Sequence, residues 1–388
     1  MSGLRWTTAG ESHGSALVGI LEGFPSGFAL DPAPIQRELA RRQGGHGRGG
    51  RMKIEEDACE ILAGLRAGRT LGSPIALMVR NKDATIERLP VPTNARPGHA
   101  DLAGCLRHET RDPRLVLERA SARETAMRTA LGAVARQLLE HFGARIFAHV
   151  VELGGERASP AAFEAACAGP ASDLHALRDA SPVYSLDPAF DARAVAAIDA
   201  AKAAGDTLGG VYEVRATGLL PGLGGYMQGE QRLTSRLAAA CLSIPAMKGI
   251  EFGDGFELAR RRGSSAHDAI EARPAGDGPA GTRYGRATNR SGGLEGGMTT
   301  GEPLVLRVAM KPIATLRQAL PSVDFETLEP VPATWQRSDT TSVPAASVIG
   351  EAVVALELAN ALLELCGGAS LAAVERAVAG YRDSLKGL

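Results

Sequence analysis

The chain contains itself twice, and that constrains its fold more than any other feature. Gly72-Ser-Pro-Ile-Ala-Leu-Met-Val79 resembles Gly301-Glu-Pro-Leu-Val-Leu-Arg-Val308. Lys82 and Lys311 follow at the same distance, and Arg88 and Arg317 follow those lysines at the same distance again. Arg119 stands before Gly132 as Arg337 stands before Gly350. Upstream, Met52-Lys-Ile-Glu55 echoes Met247-Lys-Gly-Ile-Glu251, and Gly23-Phe-Pro25 echoes Gly218-Leu-Leu-Pro221. Several matches in one order point to an ancient duplication with halves near 10–145 and 209–366. Each half reads as long strands plus a long helix. Two such units about a pseudo-twofold axis give an α/β protein, a layered β-α-β sandwich with long helices, in one domain. The short helix–strand alternation of a doubly wound sheet is absent. Residues 152–206, rich in Ala and Asp, read as a peripheral helical insert.

Local signals supply the elements. Asp31-Pro32 starts a helix that carries Ile35 and Leu39 and ends at Gly44. Ser121-Ala-Arg-Glu124 has the form of a capping box. Met127, Leu131, Val134, Leu138 and Phe142 follow at helical spacing up to Gly143. Further helices are expected over Pro344–Cys366 and from Ser370 towards Leu385. Apolar runs predict strands at Ala16–Leu21, Ile75–Val79, Arg145–Val151, Val211–Thr217 and Leu304–Met310.

Composition excludes several classes. Of 388 residues, 44% are hydrophobic and 22% charged, which is globular. The formal net charge of −1 gives no global field towards nucleic acid or a membrane, so basic features act locally. Five scattered cysteines without a CxxC pair suit neither a disulfide framework nor zinc, and fit a reducing cytoplasm. No signal peptide or run of about 18 apolar residues is evident, so no membrane span is expected. Aromatics are scarce at 4% while glycines number 47, so much backbone serves tight turns or close approaches.

The densest chemistry lies in Arg41-Arg-Gln-Gly-Gly-His-Gly-Arg-Gly-Gly-Arg51. It contains a GxGxxG string, but it follows a helix, whereas a dinucleotide-binding turn follows a strand and opens a helix. Arginine forks and bare glycine N–H groups suit phosphate or carboxylate. A solvated basic loop and an RGG-like RNA contact are the alternatives. His13 in Gly10-Glu-Ser-His-Gly14 and His99 in Arg96-Pro-Gly-His-Ala-Asp101 suit proton transfer, or equally a structural role. Arg119 and Arg337, equivalent by the duplication, stand at or before long helices whose N-termini favour anions. A glycine loop, Ser291–Gly301, leads through a strand to Lys311-Pro-Ile-Ala-Thr315, where an exposed lysine suggests a further anion contact.

Together these segments resemble the chorismate synthase family: GESHG at 10–14, RRQGGHGRGGRM at 41–52, RPGHAD at 96–101, ERASARETA at 118–126, MKGIEFGDGF at 247–256, GGLEGGMTTGEP at 292–303, KPIATL at 311–316 and QRSD at 336–339. They span nearly the whole chain in order. The resemblance implies the chorismate synthase fold and an anti-1,4-elimination of phosphate from 5-enolpyruvylshikimate 3-phosphate to chorismate. It implies a requirement for reduced FMN without net redox change, and a homotetramer in the cytoplasm. His13 is implied to protonate the departing phosphate, His99 to govern flavin protonation, and Asp339 to act with the flavin in proton removal. Ser12, Arg42, Arg48, Arg51, Arg96, Arg123 and Arg337 are implied to surround substrate. Arg42 and Arg48 are also implied to meet NADPH in members that reduce their own flavin. FMN is expected at Arg119, Ala120, Ser121, Pro245 (by backbone only), Ala246, Gly296, Lys311, Pro312, Ile313, Ala314, Thr315 and Arg337. The sequence departs from the family pattern at His46, where tyrosine is usual, and at Arg107-His108-Glu109, where a Lys-Tyr pair is usual. A flavin oxidoreductase with net hydride transfer and an RNA-binding protein are the rivals. The weak net charge and few aromatics disfavour RNA. No metal site is expected.

Overall fold

The computed structural model describes residues 3–49, 56–168, 173–274, 276–334 and 339–387. In the first half, strands β1 (Arg5–Ala9), β2 (Ala16–Glu22), β3 (Cys59–Ala63) and β4 (Ile75–Arg80) form an antiparallel sheet in the order β1-β2-β4-β3. In the second, β5 (Arg145–Leu153), β6 (Glu156–Arg157), β7 (Gly210–Thr217), β8 (Met247–Phe252) and β9 (Leu304–Met310) form another in the order β8-β9-β7-β5-β6. Apart from the short β6, the sequence of pairings is the same in both.

The helices correspond in the same way. Between the second and third strands of the halves lie α1 (Pro32–Gln43) and α7 (Leu233–Leu242); after the fourth come α4 (Thr125–His141) and α8 (Val343–Leu365). The helices α4 and α8 cross at the centre, α4 lying on the first sheet and α8 on the second. Gly132 allows the crossing, since a Cβ there would stand 2.4 Å from Ala352 Cβ and 2.5 Å from its carbonyl oxygen. One continuous core draws Leu17, Leu77 and Leu131 from the first half and Val214, Leu306 and Val353 from the second. The helix α8 is long and apolar enough to cross a membrane, but 89% of its most apolar window is buried inside the protein.

All five strands expected from apolar runs are interior strands. The unforeseen strands of these two sheets, β1, β3, β6 and β8, are sheet edges. Edge strands are half-exposed, so their alternation is diluted. The helix N-cap at Asp31 forms as expected, accepting from the Ala33 N–H at 2.9 Å. The Ser121–Glu124 capping box does not. Ser121 Oγ accepts from the Arg123 N–H at 3.3 Å over a single 3-10 turn, and Glu124 turns to Arg128 at 2.9 Å. Because α4 begins only at Thr125, Glu124 is not its third helical residue.

The first half closes β1 to β2 with the short turn Gly10–Ser15. The second half has the 154–209 excursion at the same place. That stretch is helical, with α5 (Leu174–Ala180) and α6 (Pro188–Ala204), but it is not merely peripheral. Val183, Phe190, Ala194 and Ile198 enter the core, and the buried Arg178 pairs with Glu351 of α8 at 3.4 Å. Two further short helices matter for the site, α2 (Asp101–Arg107) and α3 (Arg114–Ala120).

Candidate active site

His13 sits in the β1–β2 turn, and residue 118 of α3 holds it. Its Nδ1 lies 3.0 and 3.1 Å from the two Glu118 carboxylate oxygens, and its backbone N–H donates to the same group at 2.9 Å. The Ser12 N–H donates to the Glu118 carbonyl at 2.9 Å, and Arg114 donates to the carboxylate at 2.9 Å. Burial pushes the Glu118 carboxyl upward, but the bonds from His13 and Arg114 outweigh it and hold the group near 2. On the other side of the ring, Nε2 lies 3.9 Å from Asp83 Oδ2.

The same turn is pinned from below by Asn81. Its amide donates to the carbonyls of Glu11 (3.1 Å) and Gly14 (2.7 Å), while its oxygen accepts from Arg123 Nε at 2.9 Å. Arg123 reaches Asp57 Oδ1 at 2.5 Å, and Arg42 reaches Asp57 Oδ2 at 3.3 Å. Arg42 also donates to Thr125 Oγ1 and the Ala122 carbonyl. All three charged groups are buried. Burial, then the neighbouring Arg123 and Arg48, push Arg42 down to about 10 against the pull of Asp57, so it stays cationic at neutral pH. The trio carries one net positive charge, not two independent guanidinium forks.

The glycine loop after α1 is ordered by contacts from the rest of the chain. Arg48 pairs with Asp339 at 2.7 Å and donates to Ser342 Oγ at 3.1 Å, beside the start of α8. Asp339 also accepts from the Gly49 N–H and from Ser342 Oγ, both at 2.6 Å. Gly47, at φ +89°, leaves room for Thr341 and Ile198, whose methyl carbons would lie 2.9 and 3.0 Å from a Cβ. The supposed insert braces the loop. Tyr184 donates to the Arg41 carbonyl at 2.8 Å, Pro182 accepts from the His46 N–H at 2.7 Å, and Asp199 meets His46 Nε2 at 2.8 Å. The unusual His46 therefore has its own acidic partner. Arg51 and Arg337 lie outside the described residues, as does the Met52–Glu55 echo.

The second histidine is held by its own segment. His99 Nδ1 is 2.5 Å from Asp101 Oδ1, while Arg96 bonds both oxygens of Asp101 at 2.8 and 3.0 Å. Burial would raise the Asp101 carboxyl, but His99 and Arg96 hold it well below the usual carboxylate range. Arg96 also reaches Thr315 Oγ1 at 3.3 Å, which brings the loop against Lys311–Thr315 of the second half. There Ala246, at φ +72°, accepts from the Lys311 N–H at 3.0 Å, so the Pro245–Ala246 turn joins the group. Lys311 is half-buried, not exposed as expected. Burial and the nearby Lys248 lower its pKa. The missing Cβ of Gly98 would stand 3.7 Å from Lys311 Nζ and from Ala314 Cβ.

Other expected positions fall elsewhere. Arg119 is exposed and its guanidinium binds the carbonyls of Thr8 and Gly10 at 2.9 and 3.0 Å, bracing the β1 end of the His13 turn. Ser121 Oγ donates to Ser12 Oγ at 3.2 Å, so Ala120 and Ser121 belong to the His13 side. Gly296 occupies the turn of a hairpin whose bonds run to Gly224, Leu223 and Leu233. In the 107–109 segment, His108 caps α2 and Glu109 takes φ +52°. Glu118, Asn81 and Asp57 were not foreseen. The i,i+4 spacing of Arg114 and Glu118 was the one available signal.

The two sites are not far apart in the fold. Helices α2 and α3 pack together at Gly104, where a Cβ would stand 2.3 Å from Val116 Cγ1. The carboxylates that hold the two histidines thus ride on two helices in direct contact. Fold and side chains define a class of protein: an α/β sandwich of two like halves, with two carboxylate-held histidines among arginines that suit an anionic ligand.

Comparison with known proteins makes this specific. Residues 4–363 match the family model described as chorismate synthase. Chorismate synthase of Trichlorobacter lovleyi is 50% identical, covering 98% of this chain and 100% of its own. That of Chlorobaculum tepidum is 47% identical, over 99% and 98%. A solved crystal structure of chorismate synthase superposes with a TM-score of 0.80 at 40% identity, covering 100% of this chain and 99% of that one. The chain belongs to the chorismate synthase family, lyases of the shikimate pathway of aromatic biosynthesis.

Proposed function

We propose that this chain converts 5-enolpyruvylshikimate 3-phosphate to chorismate and phosphate by an anti-1,4-elimination, with reduced FMN and without net redox change. The observation that carries the reading is the pair of histidines, each held at Nδ1 by a buried carboxylate within an arginine-rich surround. Fixing Nδ1 leaves Nε2 as the nitrogen that exchanges a proton. His13, in its doubly protonated imidazolium form, then donates from Nε2 to the departing phosphate: the Nε2–H bond breaks, an O–H bond forms, and the electron pair stays on the ring, leaving the neutral Nδ1–H form. A substrate with a phosphate and two carboxylates meets the net positive charge of Arg42, Arg123 and Asp57, together with Ser12, Arg48, Arg51, Arg96 and Arg337.

The residues fit a flavin phosphate. Lys311 is a half-buried cation whose pKa is lowered by burial and by repulsion from the nearby Lys248, and Gly98 sets no side chain against its ammonium, where a Cβ would stand 3.7 Å from Nζ. An anion there would relieve that repulsion. Ala246 and Lys311–Thr315 would line the cofactor, with His99 beside it; Gly296, Arg119, Ala120, Ser121 and Arg337 complete the proposed set. Reduced flavin, when bound, supplies a reducing equivalent that the elimination returns. Asp339 would take part in removing the substrate proton, and its pairing with Arg48 at 2.7 Å orients it. NADPH is the reductant for an enzyme that reduces its own flavin, with Arg42 and Arg48 as contacts. We place the enzyme in the cytoplasm as a homotetramer, which light scattering of the purified chain tests.

The deciding assay is anaerobic. Photoreduced FMN and the enolpyruvyl substrate are supplied and turnovers per flavin counted. Many turnovers support the elimination; one product per reductant consumed is the mark of a net oxidoreductase.

A further inference from the structure

The structure assigns Glu118 as the positioning residue that fixes the tautomer of His13 and aims its Nε2 at the reacting group. This rests on the reading of His13 as proton donor.

Glu118 takes three donors: the His13 ring, the His13 backbone N–H and Arg114, all between 2.9 and 3.1 Å. Its own carbonyl takes the Ser12 N–H at 2.9 Å. A single residue thus fixes both the backbone and the ring of the Ser12–His13 segment. Its side chain is only 3% exposed, so water does not compete for the same lone pairs. A carboxylate accepts and does not donate, so it selects the Nδ1–H form of the neutral ring. The proton that moves, carried by the doubly protonated ring, is then confined to Nε2, on the side towards Asp83. Orienting carboxylates behind a catalytic imidazole work in this way on unrelated folds.

The support of Glu118 is visible in the packing. It rides on α3, whose seat on α2 is set by the Gly104–Val116 contact. Arg114, one turn earlier, donates to the carboxylate oxygen Oε1, which also stands 3.1 Å from the His13 ring. Rotation of the carboxylate would therefore break an ion pair as well as release the ring. Asp83 stands farther from the imidazole, at 3.9 Å from Nε2, and Asn81 and Arg119 bond the backbone of the turn and Thr8 rather than the ring.

Three measurements test the assignment. In 15N spectra of histidine-labelled protein, with His13 identified from the H13A difference, the neutral ring should show a protonated Nδ1 and a bare Nε2. In E118Q that signature should give way to a tautomer mixture. With saturating photoreduced FMN, E118Q should lose kcat by about 10- to 100-fold while KM for the enolpyruvyl substrate changes little. A His13 bare at Nδ1 in the unmodified chain overturns the assignment, whether or not E118Q folds. So does an E118Q enzyme with unchanged kcat. If H13A itself turns over at the normal rate, the proton-donor reading fails instead, and the tautomer result still reports on Glu118.

Discussion

His13 and His99 are held by the same chemistry from opposite distances in sequence. Each presents Nδ1 to a carboxylate whose side chain is almost wholly buried, 3% exposed for Glu118 and 2% for Asp101. Asp101 is two residues from His99, whereas Glu118 is 105 residues from His13. The short link makes the His99 site self-contained: Arg96, His99 and Asp101 close on one another within a turn and the start of α2. The long link makes the His13 site depend on how the β1–β2 hairpin docks on α3. A second difference concerns load. Asp101 also anchors Arg96, which reaches across to Thr315 of the other half. Glu118 anchors Arg114 within its own helix. The local pair therefore ties the halves together, and the distant pair acts within the first half, on the ring and backbone of the Ser12–His13 turn.

The comparison can be broken most directly at the rings. His13→Ala and His99→Ala should each slow phosphate release by about 10²- to 10⁴-fold while leaving the circular dichroism spectrum and melting curve intact. Near-normal turnover in either removes that histidine from the proton-transfer scheme. The carboxylates should then separate. Asp101→Asn removes the charge facing a buried arginine and should cost about 3–5 kcal/mol of stability in denaturant titrations. Glu118→Gln should cost clearly less, and equal losses would contradict the asymmetry between the two sites.

A subtler test addresses the shared seat of α2 and α3. Gly104→Ala must drive the helices apart, since Val116 is branched and cannot swing clear. We expect about a tenfold loss of kcat, much of it recovered in the double variant with Val116→Ala, which vacates the contested space. If the second change brings no recovery, the helix contact does not set the geometry. The smallest effect is in acid. The folded value of Glu118 is depressed, so its stabilisation is fully present above the usual carboxylate value near 4.5 and is lost as pH falls towards about 2. The wild-type enzyme should lose stability over that window more steeply than Glu118→Gln; parallel curves would show that His13 and Arg114 do not hold the carboxylate down.

Much of the architecture was legible. Interior strands and long helices bury continuous apolar faces, and burial leaves a periodic trace in sequence. Edge strands such as Arg5–Ala9 and Cys59–Ala63 bury less and left little. The Arg96–Asp101 cluster could be sensed because its partners are neighbours. Asp57 could not, because nothing in the spacing of Arg42, Asp57 and Arg123 says that all three lose water together. The stretch 152–206 looked idle because it carries no charge motif. Its contribution to the arginine segment runs through backbone groups of Pro182 and Arg41, the Tyr184 hydroxyl and two carboxylates, Asp199 on His46 and Asp179 on Arg41.

The sequence by itself determined the long helices α1, α4 and α8, the interior strands, the duplicated order and the family to which the chain belongs. Those depend on contacts between near neighbours or on a face repeated along one element. Only the tertiary structure decided which carboxylate stands behind His13, that Arg42 and Arg123 share Asp57, that Lys311 is half-buried beside Lys248, and that Arg48 meets Asp339 across the two halves. All but the two lysines are pairings of opposite charges drawn together by burial, and Lys311 beside Lys248 is a half-buried cation facing a like charge. A charge gives up water only where the folded chain supplies a partner, and the partner's position is a property of the packing.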